Sequence, residues 1–438
     1  MYIYNYARKY VFILLLALCS LVAAEQQILS LDSALALAKS GNPDLQKQRI
    51  LLGIEERKNN NGWNVFLPSV NTNLSLRNTH SFPNASVPLE PMNDIGFSAG
   101  ISLSMNAGVG EAMRQTSLVR DIAKLSLLQS EASLLRAVKK QYFTLVTQKM
   151  FLVLNDKNLE LAKKQEELVQ KNYKSGLASE LDLLQAQYTS ASLQPLLIQK
   201  EKEYARAISS LNTMLGLPLD TELQLTDTLD TEFVTVPKFE NIDSLIEGRY
   251  DIQTSVLNLE KIKSQKLSGN LARLAPSLSL SETMSISKLQ NKVALPETGS
   301  LSVTVNIPLN GYIPGSRDNL AGKDATDAVT LAQITLEQNR AAARQEIRGY
   351  IDTLEQLSST ISMTRLSEKI AERACQLTED GYKAGLINQA DLDAARQKLL
   401  NAQLSVVSAG NSYKAGLIDL AYALNIPESG LFEIRGEK

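Results

Sequence analysis

With one histidine, His80, and two cysteines, Cys19 and Cys375, among 438 residues, the sequence is too poor in imidazole and thiolate to assemble a metal centre of the usual spacing. The same scarcity removes most covalent catalysis. A Cys–His pair would have to join Cys375, inside a long helical pattern, to His80, in a loop rich in Pro and Asn. No serine–histidine–acid set can be built on that loop histidine, and no Gly-rich phosphate loop follows a strand. The expectation is a protein that is not an enzyme, with no catalytic residues, no metal site and no cofactor. Charge of either sign is also in short supply as a field: 45 Lys and Arg are interspersed with 47 Asp and Glu, for a net charge of −2. Without a basic stripe, nucleic acid is not an expected partner. The scattered acid and base pairs read as solvated faces of long helices.

The N-terminus carries an export signal. Arg8 and Lys9 precede the apolar run "VFILLLALCSLVAA", and Val22-Ala23-Ala24 supplies the small residues at which signal peptidases cut. Residues 1–24 are read as a signal peptide, so the mature chain starts near Glu25. The rival, a lipoprotein signal using Cys19, meets Leu18 where a small residue is needed. Cleavage after Ala24 leaves Cys375 alone, so the mature chain has no internal disulfide and must be stabilised by packing or assembly.

What the sequence does contain is a second copy of itself. "YKSGLASELD" begins at Tyr173 and "YKAGLINQAD" begins 209 residues later at Tyr382. Asp182 and Asp391 keep that offset, as do "LNTMLGLP" ending at Pro218 and "LAYALNIP" ending at Pro427. Upstream, "LPSVNTNLSL" at 67–76 faces "APSLSLSETM" at 275–284. The period is far longer than that of a solenoid, so each copy is a whole assembly of elements. The first repeat is placed at 25–232 and the second at 233–438.

Two periodicities alternate within each repeat. From Glu111 to Ser175 there are 65 residues with no Gly or Pro, enough for a helix of roughly 100 Å at about 1.5 Å per residue. Leu118, Ile122, Leu125, Leu128, Ala132, Leu135, Val138, Tyr142 and Leu145 step by three or four, the spacing of a coiled-coil seam. Gly176 interrupts the run and a second helix follows to Leu215, with Pro195 as a candidate kink. The pair is predicted to be an antiparallel hairpin over 111–215. A matching hairpin is predicted over 323–425, turning at Gly385.

Before each hairpin the period falls to two. Phe97, Ala99, Ile101, Leu103 and Met105 alternate with small polar residues, and so do Leu301, Val303, Val305 and Ile307. Together with 67–78 and 275–287, the segments near 96–106 and 299–309 make four strands, each with an apolar and a small polar face. Such strands could cover a soluble core, which would make the protein a periplasmic coiled-coil scaffold without a pore. Their length of about nine to eleven residues, on an exported chain, fits a tilted crossing of a bilayer instead. Trp63 and Phe66 stand where interfacial aromatics would. Glu282 is the misfit on the apolar face, to be accommodated near a rim or by a bulge. Four spanning strands cannot close a barrel, so several chains would have to share one.

The long helix, the "YKSGLA" turn, the acidic "LD" and "LLQAQ" after it, and the second copy ending "LDAARQKLLNAQ" together resemble the TolC-type outer-membrane efflux proteins. The opening "LSLDSALALAKSGNPDLQKQRI" and the "FLPSV" before the first strand share the resemblance. It implies a mainly α fold with a transmembrane β-barrel: a homotrimer, four membrane strands per protomer, and long antiparallel coiled-coil helices forming a periplasmic α-barrel. It further implies an exit duct in the bacterial outer membrane, embedded in its lipid. The partners would be a periplasmic adaptor protein and an inner-membrane transporter, in efflux or type I secretion.

Carried over to this sequence, the resemblance makes Gly176, Leu177 and Ala178, and Gly385, Leu386 and Ile387, the adaptor-docking tips. Each glycine would also simply end its helix. Asp391 falls where the family narrows its periplasmic entrance with acids. The second acid departs from the pattern: Asp393 precedes the usual position, which Ala394 fills. Asp391 and Asp393 in three copies would form a cation-attracting gate, although residues two apart on a helix do not face the same way. Asp182 reads chiefly as a helix cap.

Overall fold

A computed structural model describes residues 27–79, 92–229, 236, 242–289, 292–294 and 299–433. The expected signal peptide at 1–24 with Cys19, the loop residue His80, and the expected junction at 232–233 lie outside the described residues. The chain is mainly helical and divides into two compact units, and neither unit is a sequence repeat. Unit 1 takes 1–47, 129–249 and 343–438; unit 2 takes 48–128 and 250–342. Each unit therefore draws on both repeats, and the duplication is expressed as paired elements inside each.

In chain order the long helices are α1 (Leu31–Gly41), α2 (Pro43–Asn60), α3 (Val109–Lys174), α4 (Glu180–Leu215), α5 (Tyr250–Leu274), α6 (Arg317–Lys383) and α7 (Gln389–Leu424). The two hairpins match in length: 66 and 36 residues for α3 and α4, 67 and 36 for α6 and α7. Helix α4 continues through Pro195. Among the described residues no helix is long and apolar enough to cross a membrane.

Unit 1 has the hydrophobic core. Val138, Tyr142, Leu145 and Val146 of α3 pack with Ala34 and Ala38 of α1, Leu211 and Leu215 of α4, and Val407 and Ile418 of α7. The first strand, β1 (Gln27–Leu29), pairs in parallel with β4 (Leu223–Leu225), bringing Leu29, Leu223 and Leu225 into the same cluster. Tyr142 fastens this corner. Its buried hydroxyl lies 2.6 Å from Asp227 Oδ2 and 2.9 Å from the Leu29 carbonyl. Burial, reinforced by the bond to Asp227, pushes the phenol up to about 12. The same Asp227 oxygen accepts from the Leu31 N–H at 2.9 Å, satisfying an orphan donor at the start of α1. On α7, Asp419 receives Arg136 Nε at 2.7 Å and Lys140 Nζ at 2.8 Å, while Arg136 lies over the Tyr422 ring.

Unit 2 is built on an antiparallel sheet of β2 (Ser69–Thr79), β3 (Met92–Asn106), β5 (Ser277–Leu289), β6 (Lys292–Ala294) and β7 (Gly299–Asn306). β3 pairs with β5, joining the two repeats at the sheet centre. β6 and β7 pair with successive stretches of the other side of β5, so the sheet has five described strands but is four strands wide. Its outer edges are β2 on one side and β7 with the short β6 on the other.

Register sorts the side chains into two ladders. On one face Val70 stands opposite Ile101, Leu74 opposite Phe97, Leu103 opposite Leu280, and Leu280 opposite Val303. On the other, Ser69 meets Ser102, Ser102 meets Ser281, and Ser281 meets Ser302. Glu282 lies in the apolar ladder between Ile101 and Leu301, with the pairing continuous on both sides. It is not displaced by a bulge. Leu76 is 78% exposed and Leu301 70% exposed, so among the described residues nothing covers the apolar side chains of these edge strands.

Candidate functional site

The turns of the two hairpins, both in unit 1, are built alike. Lys174 ends α3 and Gly176 takes φ 71°; Lys383 ends α6 and Gly385 takes φ 74°. Positive φ clashes with a Cβ in L-residues, and glycine is exempt. The Leu177 N–H reaches back to the Asn172 carbonyl at 2.8 Å, and Leu386 N–H to the Gly381 carbonyl at 2.9 Å. With Gly176 N–H on Tyr173 and Gly385 N–H on Tyr382, these are two Schellman closures. A Cβ added to either turn glycine would have no atom within 4 Å. The space above each turn is open.

Beside that space the chain presents apolar side chains to solvent, with Leu177 80% and Leu386 83% exposed. Ala178 and Ile387 are half-exposed. The Ile387 side chain lies against α6, where a Cβ on Gly381 would meet its Cδ1 at 2.6 Å. The next helices start on side-chain caps. Ser179 Oγ accepts from Asp182 N–H at 3.1 Å and Asp182 Oδ2 accepts from Ser179 N–H at 3.0 Å, a reciprocal capping box. Asn388 Oδ1 accepts from Asp391 N–H at 2.9 Å.

The two acids of the expected gate take different surroundings. Asp391 is exposed and borders a cavity of about 600 Å³ between α6 and α7, shared with Ala371, Ala374, Ala394 and Lys398. Asp393 is half-buried and turned toward its own chain. Gln389 Nε2 donates to its Oδ1 at 2.9 Å, and Thr189 Oγ1 of α4 lies 3.4 Å from its Oδ2. Burial raises the Asp393 carboxyl above the usual aspartate range, against the opposing pull of Gln389, Arg396 and Thr189.

Asp393 belongs to a polar layer that ties the hairpins together. Gln165 of α3 donates to Gln389 Oε1 at 2.8 Å and to the Tyr382 hydroxyl at 3.1 Å. Gln165 and Gln389 are both buried. One turn further along α7, Arg396 pairs with Glu379 of α6 at 3.0 Å. Sequence reasoning missed Gln165, Gln389 and Thr189. The available signal was a glutamine on the buried stripe of each helix, between Leu159 and Val169 in α3 and before Leu392 in α7. Buried Cys375 contributes no reactive group; burial pushes its thiol up. Among the described residues no group of His, Cys, Asp and Glu is arranged to hold a metal ion.

An internally duplicated, mainly helical chain with paired helical hairpins and an antiparallel sheet is the fold of outer-membrane channels. The outer membrane protein VceC of Vibrio cholerae superposes with a TM-score of 0.68 at 17% identity, over 90% of this chain and 95% of that one. The CmeC outer membrane channel of Campylobacter jejuni gives 0.73 at 17%, over 93% and 87%. The open state of the MtrE outer membrane channel of Neisseria gonorrhoeae gives 0.71 at 17%, over 92% and 89%. Comparison with curated protein sequences finds no match. The outer membrane efflux protein family model matches residues 34–217 and 241–425, one stretch in each repeat. The chain belongs to the outer membrane efflux protein family, a family of outer-membrane channel proteins rather than enzymes.

Proposed function

We propose that the chain is one protomer of a trimeric exit duct, in which three four-strand-wide sheets close a twelve-stranded outer-membrane barrel and the helical hairpins continue as a periplasmic tunnel. The sheet carries this reading. Its apolar ladder is exposed, its opposite face is lined with serine, threonine and asparagine, and its edge strands β2 and β7 have unpaired outer sides. An open edge in lipid leaves backbone N–H and C=O groups unsatisfied at several kcal/mol each. Pairing the side of one copy formed by β7 and β6 with β2 of the next would remove these edges.

Transport through such a duct needs no chemistry from the chain. Substrate would be delivered by an inner-membrane transporter and a periplasmic adaptor whose helical hairpins dock on the two turns. Gly176, Leu177 and Ala178, with Gly385, Leu386 and Ile387, suit that role: open space above each glycine and an exposed leucine beside it. Asp391, with its carboxylate in solvent, is the stronger candidate for a cation-attracting gate at the tunnel entrance. Asp393 would act there mainly by holding α7 against α4.

The test is oligomer size and conductance of the detergent-purified chain. A trimer that inserts into a planar bilayer and gives a small, stable, cation-preferring conductance is the expected result. A monomer released from membranes by salt alone would refute the duct and return the chain to the scaffold reading.

A further inference from the structure

We propose that unit 2 binds a phospholipid headgroup of the ethanolamine-phosphate class in a mixed-charge cavity at the foot of its sheet. This site rests on the reading that the sheet spans the outer membrane.

The cavity, of about 470 Å³, lies between the end of α5 and the start of α6 and is lined by Arg273, Asp318, Asn319, Lys323, Thr326 and Asp327. Two cations and two carboxylates thus share one small space, and among the described residues none of the four forms an ion pair. Arg273 is half-buried, and its guanidinium gives one hydrogen bond, to Asn270 Oδ1, leaving other N–H donors unspent. Glycines flank it on both helices. A Cβ at Gly269 would stand 3.4 Å from Nη1 and one at Gly322 3.5 Å from Nη2. Charged side chains that line one cavity without pairing are poised for a ligand carrying both signs.

Position and polarity identify that ligand. Leu274 is the last residue of α5, and β5 starts at Ser277; β7 ends at Asn306, shortly before Gly311, which also lines the cavity. With the strands across the bilayer, the cavity stands at headgroup level in the leaflet facing the periplasm. Exposed apolar side chains stand beside its lining residues in sequence: Leu309 and Ile313 to either side of Gly311, and Leu320 after Asn319, while Leu274 lines the wall. Tyr312, also exposed, donates to the Leu274 carbonyl at 3.0 Å. A tyrosine with its ring outward beside a charged cavity is the arrangement found at membrane interfaces. Phosphate suits the planar fork of Arg273 and the ammonium of Lys323. A headgroup amine suits Asp318 and Asp327. A glycerol headgroup would bring the phosphate to the cations and leave both carboxylates without a partner.

The experiment is native mass spectrometry of the full chain, purified from outer membranes and offered phosphatidylethanolamine, phosphatidylglycerol of the same acyl chains, or soluble phosphoethanolamine. The expected result is retention of phosphatidylethanolamine over phosphatidylglycerol, with Arg273→Gln lowering retention of the former roughly tenfold. If Arg273→Gln fails to assemble, the exposed Lys323→Gln and Asp327→Asn variants carry the test, each with a smaller loss in the same direction. Equal retention of the two lipids, or occupancy unaffected by all three substitutions, overturns the site. Soluble phosphoethanolamine binding as tightly as the lipid overturns the assignment to membrane. Salt washing separates the two readings: a chain that stays with the membrane but shows no lipid preference sinks this site alone, whereas a chain that washes off sinks the spanning sheet with it.

Discussion

Replacing Gly385 separates the two jobs a turn glycine can have. At φ 74° any L-residue pays for a Cβ crowding its own backbone, about 1–2 kcal/mol. Nothing stands within 4 Å of the added Cβ, so there is no packing clash to add. Asparagine should pay least, because its side chain tolerates this conformation; the chain itself uses Asn425 at φ 55° to end α7. Gly385→Asn, Gly385→Ala and Gly385→Trp therefore differ little in stability, each losing about 2 kcal/mol or less of a total on the order of 5–15. They differ greatly in what they put above the turn. Thermal unfolding and trimer content of the purified variants would be measured beside substrate export from cells. The expected outcome is three trimers of similar stability, with export kept by the Asn and Ala variants and lost with Trp. Export abolished already by Ala, or unaffected by Trp, would refute docking over an open glycine. Loss of trimers in all three would make the glycine purely structural.

Asp391→Asn should weaken cation preference in single-channel recordings, while Asp393→Asn should leave it nearly unchanged because both Asp393 oxygens face the chain's own Gln389 and Thr189. Asp393 also predicts a pH signature. Its folded pKa is raised, so its contribution to stability is present below the ordinary aspartate value and lost as pH rises through the folded one. Asp393→Asn should then melt at or above the native chain at neutral pH, the gap closing in acid. Tyr142→Phe should cost about 1–3 kcal/mol in denaturant unfolding at neutral pH, since Leu29 and Asp227 lose a donor. With the phenol raised to about 12 from 10, its share of stability is intact below pH 10 and lost toward pH 12, and the Phe variant should decline less over that window. Glu282→Leu should raise stability by about 1–2 kcal/mol if the apolar ladder faces lipid, and should lower solubility instead if that face meets water.

Much of the fold was legible because its elements are long and monotonous. Sixty-odd residues without Gly or Pro leave a chain little alternative to helix, and α3 spans that run. Alternation of Leu, Val and Ile with Ser and Thr fixed which side chains share a face, and the ladders keep that division along β3, β5 and β7. The α6 start was harder to read. Gly322 looks like a helix boundary, yet α6 begins at Arg317 and runs through it, beside the Arg273 guanidinium. A tertiary neighbour made the glycine acceptable, and no local pattern announces a neighbour some fifty residues away. At the candidate gate, helical geometry warned that Asp391 and Asp393 diverge, but only the position of Thr189 on another helix shows which one turns inward. The polar layer of Gln165 and Gln389 had the opposite problem. Each residue stands in plain view on a buried stripe, and the partner that makes it matter comes from a distant stretch of sequence.

The distribution of burial says how such a chain can be stable. Unit 1 buries Tyr142, Leu145, Leu211 and Ile418 almost completely, so its helices meet the ordinary requirement of a hydrophobic core. The sheet of unit 2 does not: Val70, Leu74 and Leu76 of β2 and Leu301, Val303 and Val305 of β7 are all exposed. Leaving one such side chain in water forgoes about 1.5–3 kcal/mol relative to burying it. Those six residues alone, at this rate, match the whole net stability of a typical domain. Yet the register that lines them up is regular over the full length of β5, and a sheet with no internal core has no reason of its own to hold that register. On the duct reading, the membrane supplies it. The apolar side chains of β2 and β7 are the most exposed of the sheet, so on the duct reading the surface that would meet lipid and the edges that would meet another chain coincide. A lone copy in water would therefore be expected to expose both at once, and its sheet should order only when membrane and neighbouring copies are available together.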